Sequence, residues 1–389
     1  MFYLGIDIGK NTHVASLLDS KKKVVFKAFS FSNSIDGAES LICKLEPFKN
    51  ELEIGMEATG HYWLSIYSYL SEKNFTVRVI NPIQTDGWRQ GIEIRKRKTD
   101  IIDSLLIADL LRYGDFVETS LSNEDYLSLR NLSRFRSYLI SSIGDLKRKT
   151  IALLDQVFPE YASSFSNIFG KTSKEILSNF SSPSDFEAIN SEVLQSFLNN
   201  VSKKKFAKRK LEELSRKAST SFGINFCMDS FALQIKMLIQ QISFIQNQVL
   251  DVENEIEVFL KKLNSPIITI PGIGSVNAAT ILGEIGDIKR FSNPSKLVAF
   301  AGLDSTVSQS GEFESTSNHM AKRGSPYLRR ALFQSALRAE FCDPVFSDYY
   351  QKKMKEGKHH LVATNAVARK LCHIIFAVLT KNEPYRVKN

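Results

Sequence analysis

The first 120 residues alternate between apolar patterns typical of strands and patterns typical of helices. Runs with a period of two predict strands, and apolar residues three and four apart predict helices. The predicted strands cover residues 3–8, 13–18, 24–31, 52–56 and 76–80, and the predicted helices cover residues 35–45, 61–70 and 100–111. Short polar links join the first three strands and predict an antiparallel meander. Three strands followed by alternating helices and strands indicate a mixed sheet covered by helices.

Residues 121–263 show helical periodicity almost throughout. In their second half, nine apolar residues follow one another at spacings of three and four: Ile235, Leu238, Ile242, Ile245, Val249, Val252, Ile256, Phe259 and Leu263. This heptad pattern is typical of a coiled coil. We therefore predict a coiled coil over residues 235–263 through which the protein associates with itself. The alternative is a long amphipathic helix folded back on its own domain.

Glycines punctuate the sequence after residue 263, and helical periodicity resumes after Pro326, where proline suits a first helical turn. A last helical pattern covers residues 361–379. We therefore predict an α/β domain at 1–120, a helical region at 121–263 and a mainly helical domain at 264–389. The order of elements in the first domain fits the ribonuclease H-like architecture.

Composition and charge narrow the class of partner. The chain has 389 residues, and 43% of them are hydrophobic, which is enough for packed cores. The formal net charge is +9 and the isoelectric point about 9.2, so a polyanion is the natural partner. We expect no membrane association and a cytoplasmic protein, because the apolar runs are too short to cross a bilayer and no basic leader opens the chain. The four cysteines show no paired short spacing, which argues against a zinc site or a disulfide framework.

Four carboxylates bear the most informative chemistry. Asp7 lies inside the first predicted strand and Glu57 ends the fourth, while Asp100 and Asp103 share one face of a predicted helix. If these side chains converge, they repel one another unless cations lie between them. Two divalent metals about 3.5–4 Å apart would neutralise the cluster and clamp the attacking and leaving oxygens of a phosphodiester. Simpler interpretations stay open, since Asp7 could belong to a turn and two acids in a first helical turn favour the helix dipole.

Several cationic and glycine-rich segments are candidates for phosphate contacts. A basic loop directly precedes Asp100. The Pro271-Gly-Ile-Gly274 turn looks like a helix-hairpin-helix, in which backbone N–H groups point at a phosphate, although a plain turn between helices has the same sequence features. The predicted nucleic-acid contacts are Arg95, Lys96, Arg97, Lys98, Gly272, Gly274, Lys322, Arg323, Arg329 and Arg330.

These motifs together resemble those of the insertion sequence 110 transposases, also described as bridge-RNA-guided serine recombinases. Gly5-Ile-Asp7, Glu57-Ala-Thr-Gly60 and Lys98-Thr-Asp-Ile-Ile-Asp103 look like the N-terminal DEDD domain of that family. Ala301-Gly-Leu303 and Ser310-Gly311 look like its C-terminal transposase domain. The resemblance covers nearly the whole chain, and the order and spacing of the motifs make it specific.

The resemblance implies a resolvase-like ribonuclease H fold that binds Mg²⁺, with two ions per site. The implied metal ligands are Asp7, Glu57, Asp100 and Asp103. It also implies that Ser310 attacks DNA and forms a phosphoserine link, with Ser308 as the alternative nucleophile in the same serine-rich loop. In that family a noncoding bridge RNA pairs with donor and target DNA. The two halves of a site come from different protomers, which would give the predicted coiled coil a purpose in a dimer and in a synaptic tetramer.

Three other functions stay open from the residues alone. The acidic cluster could belong to a junction-resolving nuclease in which metal-activated water attacks and Ser310 is dispensable. The glycines around Asp7 would also suit the first phosphate loop of actin-like ATPases and sugar kinases, but those proteins need a second similar sheet. A non-catalytic nucleic-acid scaffold would account for the charge and the heptad pattern.

Overall fold

The structure is a computed structural model that describes residues 1–58, 60–92, 99–116, 123–200, 204–304, 309–310, 313–314 and 320–387. The strands are β1 (Phe2–Asp7), β2 (Thr12–Asp19), β3 (Val24–Ser32), β4 (Leu52–Glu57), β5 (Thr76–Ile80), β6 (Gln309–Ser310) and β7 (Phe313–Glu314). The helices are α1 (Ile35–Leu45), α2 (Trp63–Glu72), α3 (Pro82–Ile92), α4 (Asp100–Tyr113), α5 (Glu124–Val157), α6 (Lys171–Asn179), α7 (Pro183–Glu187), α8 (Ser191–Asn200), α9 (Lys204–Ala218), α10 (Met228–Leu263), α11 (Ser275–Ile285), α12 (Pro294–Phe300), α13 (Pro326–Cys342), α14 (Pro344–Lys355) and α15 (His360–Lys381).

The chain divides into two compact units, Met1–Leu121 and Ser122–Asn389. The first unit holds the sheet, and the second is built mostly from helices. The further division of the second unit at residue 263 stays a prediction.

The first unit is built on a five-stranded mixed sheet in the order β3-β2-β1-β4-β5. β1, β2 and β3 pair antiparallel as the predicted meander, and β4 and β5 extend the sheet in parallel from β1. The predicted mixed sheet is therefore confirmed. Because side chains alternate across a strand, Leu4 and Ile6 lie on the face that packs against α1 and α2, and Gly5 lies on the opposite face.

Helix α4 covers the face of the sheet that carries the glycines. A Cβ added to Gly5 would lie 2.0 Å from the carbonyl oxygen of Ser104 and 2.5 Å from the backbone nitrogen of Ala108. The backbone of α4 therefore lies directly on the centre of β1. The hydroxyls of Ser16 and Ser104 are 2.8 Å apart across the same interface and share a buried hydrogen bond.

An ion pair between the exposed Lys22 and the buried Asp109 defines the direction of α4 across the sheet. Lys22, in the turn between β2 and β3, donates to Asp109 at 2.9 Å. That turn lies at the end of the sheet where Phe2 pairs with Asp19, which is the amino end of β1. The later part of α4 is thus near the start of β1, and its first turn is near the end of β1.

In the second unit, α10 packs antiparallel along α5. Lys262, near the end of α10, donates to Asp125, near the start of α5, at 2.7 Å. Further along the same two helices, Arg136 of α5 pairs with Glu253 of α10, with 2.6 Å between Arg136 Nη2 and Glu253 Oε1. The two helices therefore run in opposite directions over most of their length.

The heptad seam of α10, formed by its nine regularly spaced apolar residues, packs against other parts of the same chain. All nine of its apolar residues belong to, or pack against, the two cores of this unit, and Ile235, Ile242 and Ile256 are fully buried. The alternative of a helix folded back on its own domain describes this packing, and self-association through a coiled coil stays a prediction. The apolar period predicts which face of α10 is buried, but it does not predict which helix covers that face.

Within the described part of the chain, α15 is the one helix whose length and composition would allow a membrane span. Its residues Val367, Leu371 and Ile375 have no exposed surface and belong to the core of the second unit. Packing within the protein therefore accounts for the apolar character of α15.

The contact between Gly5 and α4 predicts a large loss of stability in Gly5→Ala. A methyl group at this position must displace helix backbone, so we expect the free energy of unfolding to fall by about 3 kcal/mol in urea titrations. Gly87→Ala in α3 is the control, because an added Cβ there meets nothing within 4 Å. We expect that change to raise stability by about 0.5–1 kcal/mol. Equal stability of Gly5→Ala and the parent would show that α4 is not seated on the sheet.

The covered seam predicts that Ile242→Ala destabilises the chain itself. Ile242 has no exposed surface, so the cavity left behind should cost about 2–5 kcal/mol of unfolding free energy. Leu250→Ala, at a side chain that is 56% exposed on the same helix, should change stability by less than about 0.5 kcal/mol. We expect the Ile242→Ala loss to be independent of protein concentration, and a loss that grows on dilution would show that the seam joins two chains.

Candidate functional site

Two carboxylates lie side by side where neighbouring parallel strands end. Asp7 is the last residue of β1 and Glu57 the last residue of β4, and both are half-buried. By the two-residue period of a strand, they share a face with Gly5 and Gly55, which is the face under α4. The sequence placed Asp7 inside a buried strand, whereas it ends the strand, so its carboxylate is at the sheet edge.

Helix α4 brings the other two acids to the same edge. Thr99 caps the helix by accepting a hydrogen bond from the backbone N–H of Ile102 at 3.3 Å, so neither aspartate serves as the cap. Asp103 is 8% exposed and Asp100 is exposed. Because α4 runs antiparallel to β1, its first turn lies beside the ends of β1 and β4.

Helix α3 supplies partners that the sequence reasoning missed. The hydroxyl of Thr85 lies 2.6 Å from Oε2 of Glu57, and Arg89 Nη2 lies 2.8 Å from Oδ1 of Asp103. The available signal was Asn81-Pro82, since Asn81 accepts from the backbone N–H of residue 83 at 3.0 Å and proline occupies the first helical position. One helix thus contacts a carboxylate from β4 and another from α4.

The donor set of this edge suits a hard divalent cation, because it consists of carboxylate and hydroxyl oxygens. A cationic group, the Arg89 guanidinium, is already paired with Asp103, which shows that the edge attracts positive charge. Among the described residues, however, no three His, Cys, Asp or Glu side chains come together closely enough to hold a metal. Binding a metal at Asp103 would therefore require its ion pair with Arg89 to open.

The loop that contains Ser310 is closed at its base by backbone hydrogen bonds. The N–H of Ala321 donates to the carbonyl of Asp304 at 2.9 Å, and the N–H of Lys322 donates to the carbonyl of Gly302 at 3.3 Å. Within the loop, Ser310 pairs with Phe313 in the short ladder of β6 and β7. The side chain of Ser310, and Ser308 and Gly311 as a whole, lie outside the described residues.

A buried carboxylate held by arginines supports the base of this loop. Glu284 is 5% exposed and accepts hydrogen bonds from Arg134 Nε at 2.6 Å and Nη2 at 3.0 Å, and from Ser325 Oγ at 2.8 Å. The bonds to Glu284 raise the pKa of Arg134. Burial, together with the nearby Arg130, lowers the pKa of Arg290 to about 10. The side chain of Arg290 is therefore still charged near neutral pH. The cluster fixes Ser325, which caps α13.

The predicted nucleic-acid contacts fall into different settings. Arg95, Lys96, Arg97 and Lys98 lie outside the described residues. Gly272 has a φ of 86°, and a Cβ added to it would lie 2.5 Å from the carbonyl oxygen of Ser335. The turn therefore requires glycine at this position, where it packs against α13. Gly274, in contrast, is exposed and an added Cβ would meet nothing within 4 Å.

The cations after the Ser310 loop also differ from one another. Lys322, Arg323 and Arg330 are exposed. Arg329 is half-buried and donates to the carbonyl of Ala301 at 3.2 Å, so it holds the turn at the base of the loop. Three of these four side chains are therefore accessible to a nucleic acid.

Family comparisons match two separate segments of the chain. Residues 4–159 match a model of the IS110 DEDD type described as "Transposase", and residues 264–351 match one described as "Transposase IS116/IS110/IS902 family". The sheet with its carboxylates lies in the first match, and the Ser310 loop lies in the second. The chain belongs to the IS110 family of transposases.

Relatives extend the similarity over nearly the full length. The pilin gene-inverting protein of Moraxella bovis is 24% identical over 388 residues, which cover 98% of this chain and 97% of the relative. An uncharacterized 44.8 kDa protein of insertion element IS116 from Streptomyces clavuligerus is also 24% identical, over 97% of this chain and 94% of its own length. A 43.6 kDa protein of insertion element IS110 from Streptomyces coelicolor is 34% identical over 116 residues, or 30% of this chain and 28% of its own.

Family membership establishes the reaction class. The protein is an enzyme of the transposase and recombinase class, whose members catalyse DNA strand cleavage and transfer. The DEDD domain is ribonuclease H-like, and domains of this type generally use divalent metals. The sheet of β1 to β5 is that domain in this chain.

The pairing of Arg89 with Asp103 predicts competition between arginine and metal. In Arg89→Met, Asp103 loses this ion pair, so we expect Mg²⁺ to bind more tightly in calorimetric titrations of the full chain. An ion pair worth about 1 kcal/mol corresponds to roughly a fivefold gain in affinity. Arg112→Met is the control, because Arg112 pairs with Asp109 at 2.9 Å towards the other end of α4. Equal affinities of Arg89→Met and the parent would rule out Asp103 as a ligand that exchanges arginine for metal.

Proposed function

We propose that the protein cuts and rejoins donor and target DNA with a Mg²⁺-binding carboxylate site and a serine nucleophile, guided by a noncoding bridge RNA. The observation that supports this most is that Asp7 and Glu57 end neighbouring strands on the sheet face covered by α4, beside the first turn of α4, which carries Asp103. Oxygen ligands gathered at the carboxyl ends of neighbouring parallel strands are a suitable setting for metal-assisted phosphate chemistry.

In this proposal two Mg²⁺ ions are held by the four acids of the edge. The ligands are Asp7, Glu57, Asp100 and Asp103. When bound, the metal supplies positive charge next to the reacting phosphate. Thr85 orients the carboxylate of Glu57 through its hydroxyl, and Arg89 keeps Asp103 compensated until a metal replaces it. The basic segment at residues 95–98 and the exposed Lys322 and Arg323 would contact the DNA backbone.

The serine step conserves the number of phosphate ester bonds. Oγ of Ser310 forms a bond to phosphorus while the bond from phosphorus to one sugar oxygen breaks. The proton of the serine hydroxyl passes to a base, and the released sugar oxygen takes up a proton. Attack by a sugar hydroxyl of another strand then reverses the step and frees Ser310, so the exchange needs no external energy source.

The bridge RNA and the oligomer belong to the same proposal. A net charge of +9 suits a chain that binds more than one nucleic acid. Assembly into a dimer, and a tetramer when DNA ends are brought together, would use a face of α10 other than its buried seam. Leu233, Met237 and Phe244 offer such a face, since they are 54%, 51% and 64% exposed.

The serine mechanism predicts that Ser310→Ala abolishes strand exchange. With donor DNA, target DNA and RNA transcribed from the flanks of the gene, we expect recombinant product to fall by a factor on the order of 10³ or more. The protein–DNA adduct that survives denaturation should disappear as well. Ser308→Ala separates the two serines, because the adduct is lost only when the nucleophile itself is replaced.

The carboxylate site is tested in the same assay with Asp7→Asn, which should lose both product and adduct while still binding DNA. Recombination by Ser310→Ala at the rate of the parent would favour the junction-resolving nuclease, in which metal-activated water attacks. Full activity of Asp7→Asn would show that the edge of the sheet takes no part in the chemistry.

A further inference from the structure

A cavity of about 500 Å³ with both polar and apolar walls lies in the second unit, between α5, α11 and α13. Its lining includes Ser133 and Arg136 from α5, Gly274 and Asn277 from the start of α11, and Arg330 from α13. No aspartate or glutamate is among the described residues that line it. The cavity therefore presents hydrogen-bond donors and positive charge without an opposing carboxylate of its own.

The N-terminus of α11 opens into this cavity. Gly274 is the capping residue, so no side chain bonds the first N–H groups of the helix, and the first turn contains no acid. Residues 275–277 therefore present uncapped backbone donors at the positive end of the helix dipole. Space in front of Gly274 is open, because an added Cβ would meet nothing within 4 Å.

A buried hydroxyl in the wall of the cavity lacks a partner. Ser133 is 5% exposed, and its Oγ makes no hydrogen bond to any described residue. Buried hydroxyls are normally hydrogen-bonded, so an unpartnered one beside this cavity indicates that a ligand oxygen completes it. This observation is independent of the helix N-terminus, since Ser133 comes from a different helix.

Two arginines contribute positive charge to the wall of the cavity. Arg330 is exposed and makes no hydrogen bond or ion pair to the residues that the structure describes. Arg136 is half-buried, and its Nε and Nη2 lie 2.7 Å and 2.6 Å from the same carboxylate oxygen of Glu253. That pair orients its guanidinium at the cavity wall. Planar guanidinium groups match the oxygens of a phosphate better than a point charge does.

We propose that this cavity binds one backbone phosphate of the DNA, held by the N–H groups at the start of α11, by Ser133 and by Arg330. The assignment to DNA rests on the proposed function, in which DNA strands are the substrate. The contact is independent of base sequence, because every group in it is directed at a phosphate. It fixes the position of the duplex on the second unit while the reaction proceeds elsewhere.

The test is the salt dependence of DNA affinity, measured by fluorescence anisotropy on two unrelated duplexes with the full chain. Loss of one phosphate contact in Arg330→Gln should make the slope of log K against log salt shallower by about 1, equally for both sequences. Arg338→Gln removes the same charge from an exposed site on the same helix outside the cavity and should leave the slope at the parent value.

Ser133→Ala separates a binding defect from a folding defect. It should weaken DNA binding at every salt concentration without lowering the free energy of unfolding, because it removes a buried hydroxyl that has no partner. An unchanged slope in Arg330→Gln, with unchanged affinity in Ser133→Ala, would overturn the assignment. The same changes seen with an RNA duplex but not with DNA would assign the phosphate to RNA and overturn it equally.

Failure of this site is distinct from failure of the proposed function. If Ser310→Ala and Asp7→Asn lose strand exchange but Arg330→Gln binds DNA like the parent, the cavity assignment alone is wrong. If the parent chain shows no salt-dependent binding of DNA, the proposed function and this site fall together.

Discussion

The candidate site depends on one close contact, in which the backbone of α4 rests on Gly5 at the centre of the sheet. Because no side chain separates the two backbones, the first turn of α4 is held at the height where β1 and β4 end. Asp103 therefore lies beside the strands that end in Asp7 and Glu57, although almost a hundred residues separate the first and last of these acids. A carboxylate as buried as Asp103 in turn requires compensation, and Arg89 contributes it in this structure.

The second unit depends on a comparable anchor, the buried carboxylate of Glu284. Glu284 belongs to α11 and joins α5 through Arg134 to the start of α13 through Ser325, so the helix that follows the Ser310 loop is tied to two other helices. Removing one partner of such a buried pair usually costs more than the pair contributes, since a charge is left without compensation. The loop that contains the predicted nucleophile is thus fixed at its base to a packed helix.

Much of this arrangement could be predicted from sequence, and the exceptions have physical causes. The strand at residues 76–80 and the helix that begins at Asp100 were predicted at their observed starts, because apolar period and cap signals agree there. Helix α3 was missed because it contains few apolar residues and two glycines, and because its start, Asn81-Pro82, directly follows a strand. Gly274 and Arg330 were predicted as nucleic-acid contacts, but the cavity that they share could not be foreseen, since its third wall comes from α5, more than a hundred residues earlier in the chain.

The backbone closure beneath Ser310 has a consequence for how such proteins diverge. Hydrogen bonds from Ala321 to Asp304 and from Lys322 to Gly302 involve only main-chain atoms, so they do not depend on which side chains the enclosed segment contains. Lengthening a closed segment is also inexpensive, at about 0.6 kcal/mol for each doubling. Related enzymes could therefore differ in the length and sequence of this segment, and so in reactivity, while the helices that support it stay the same.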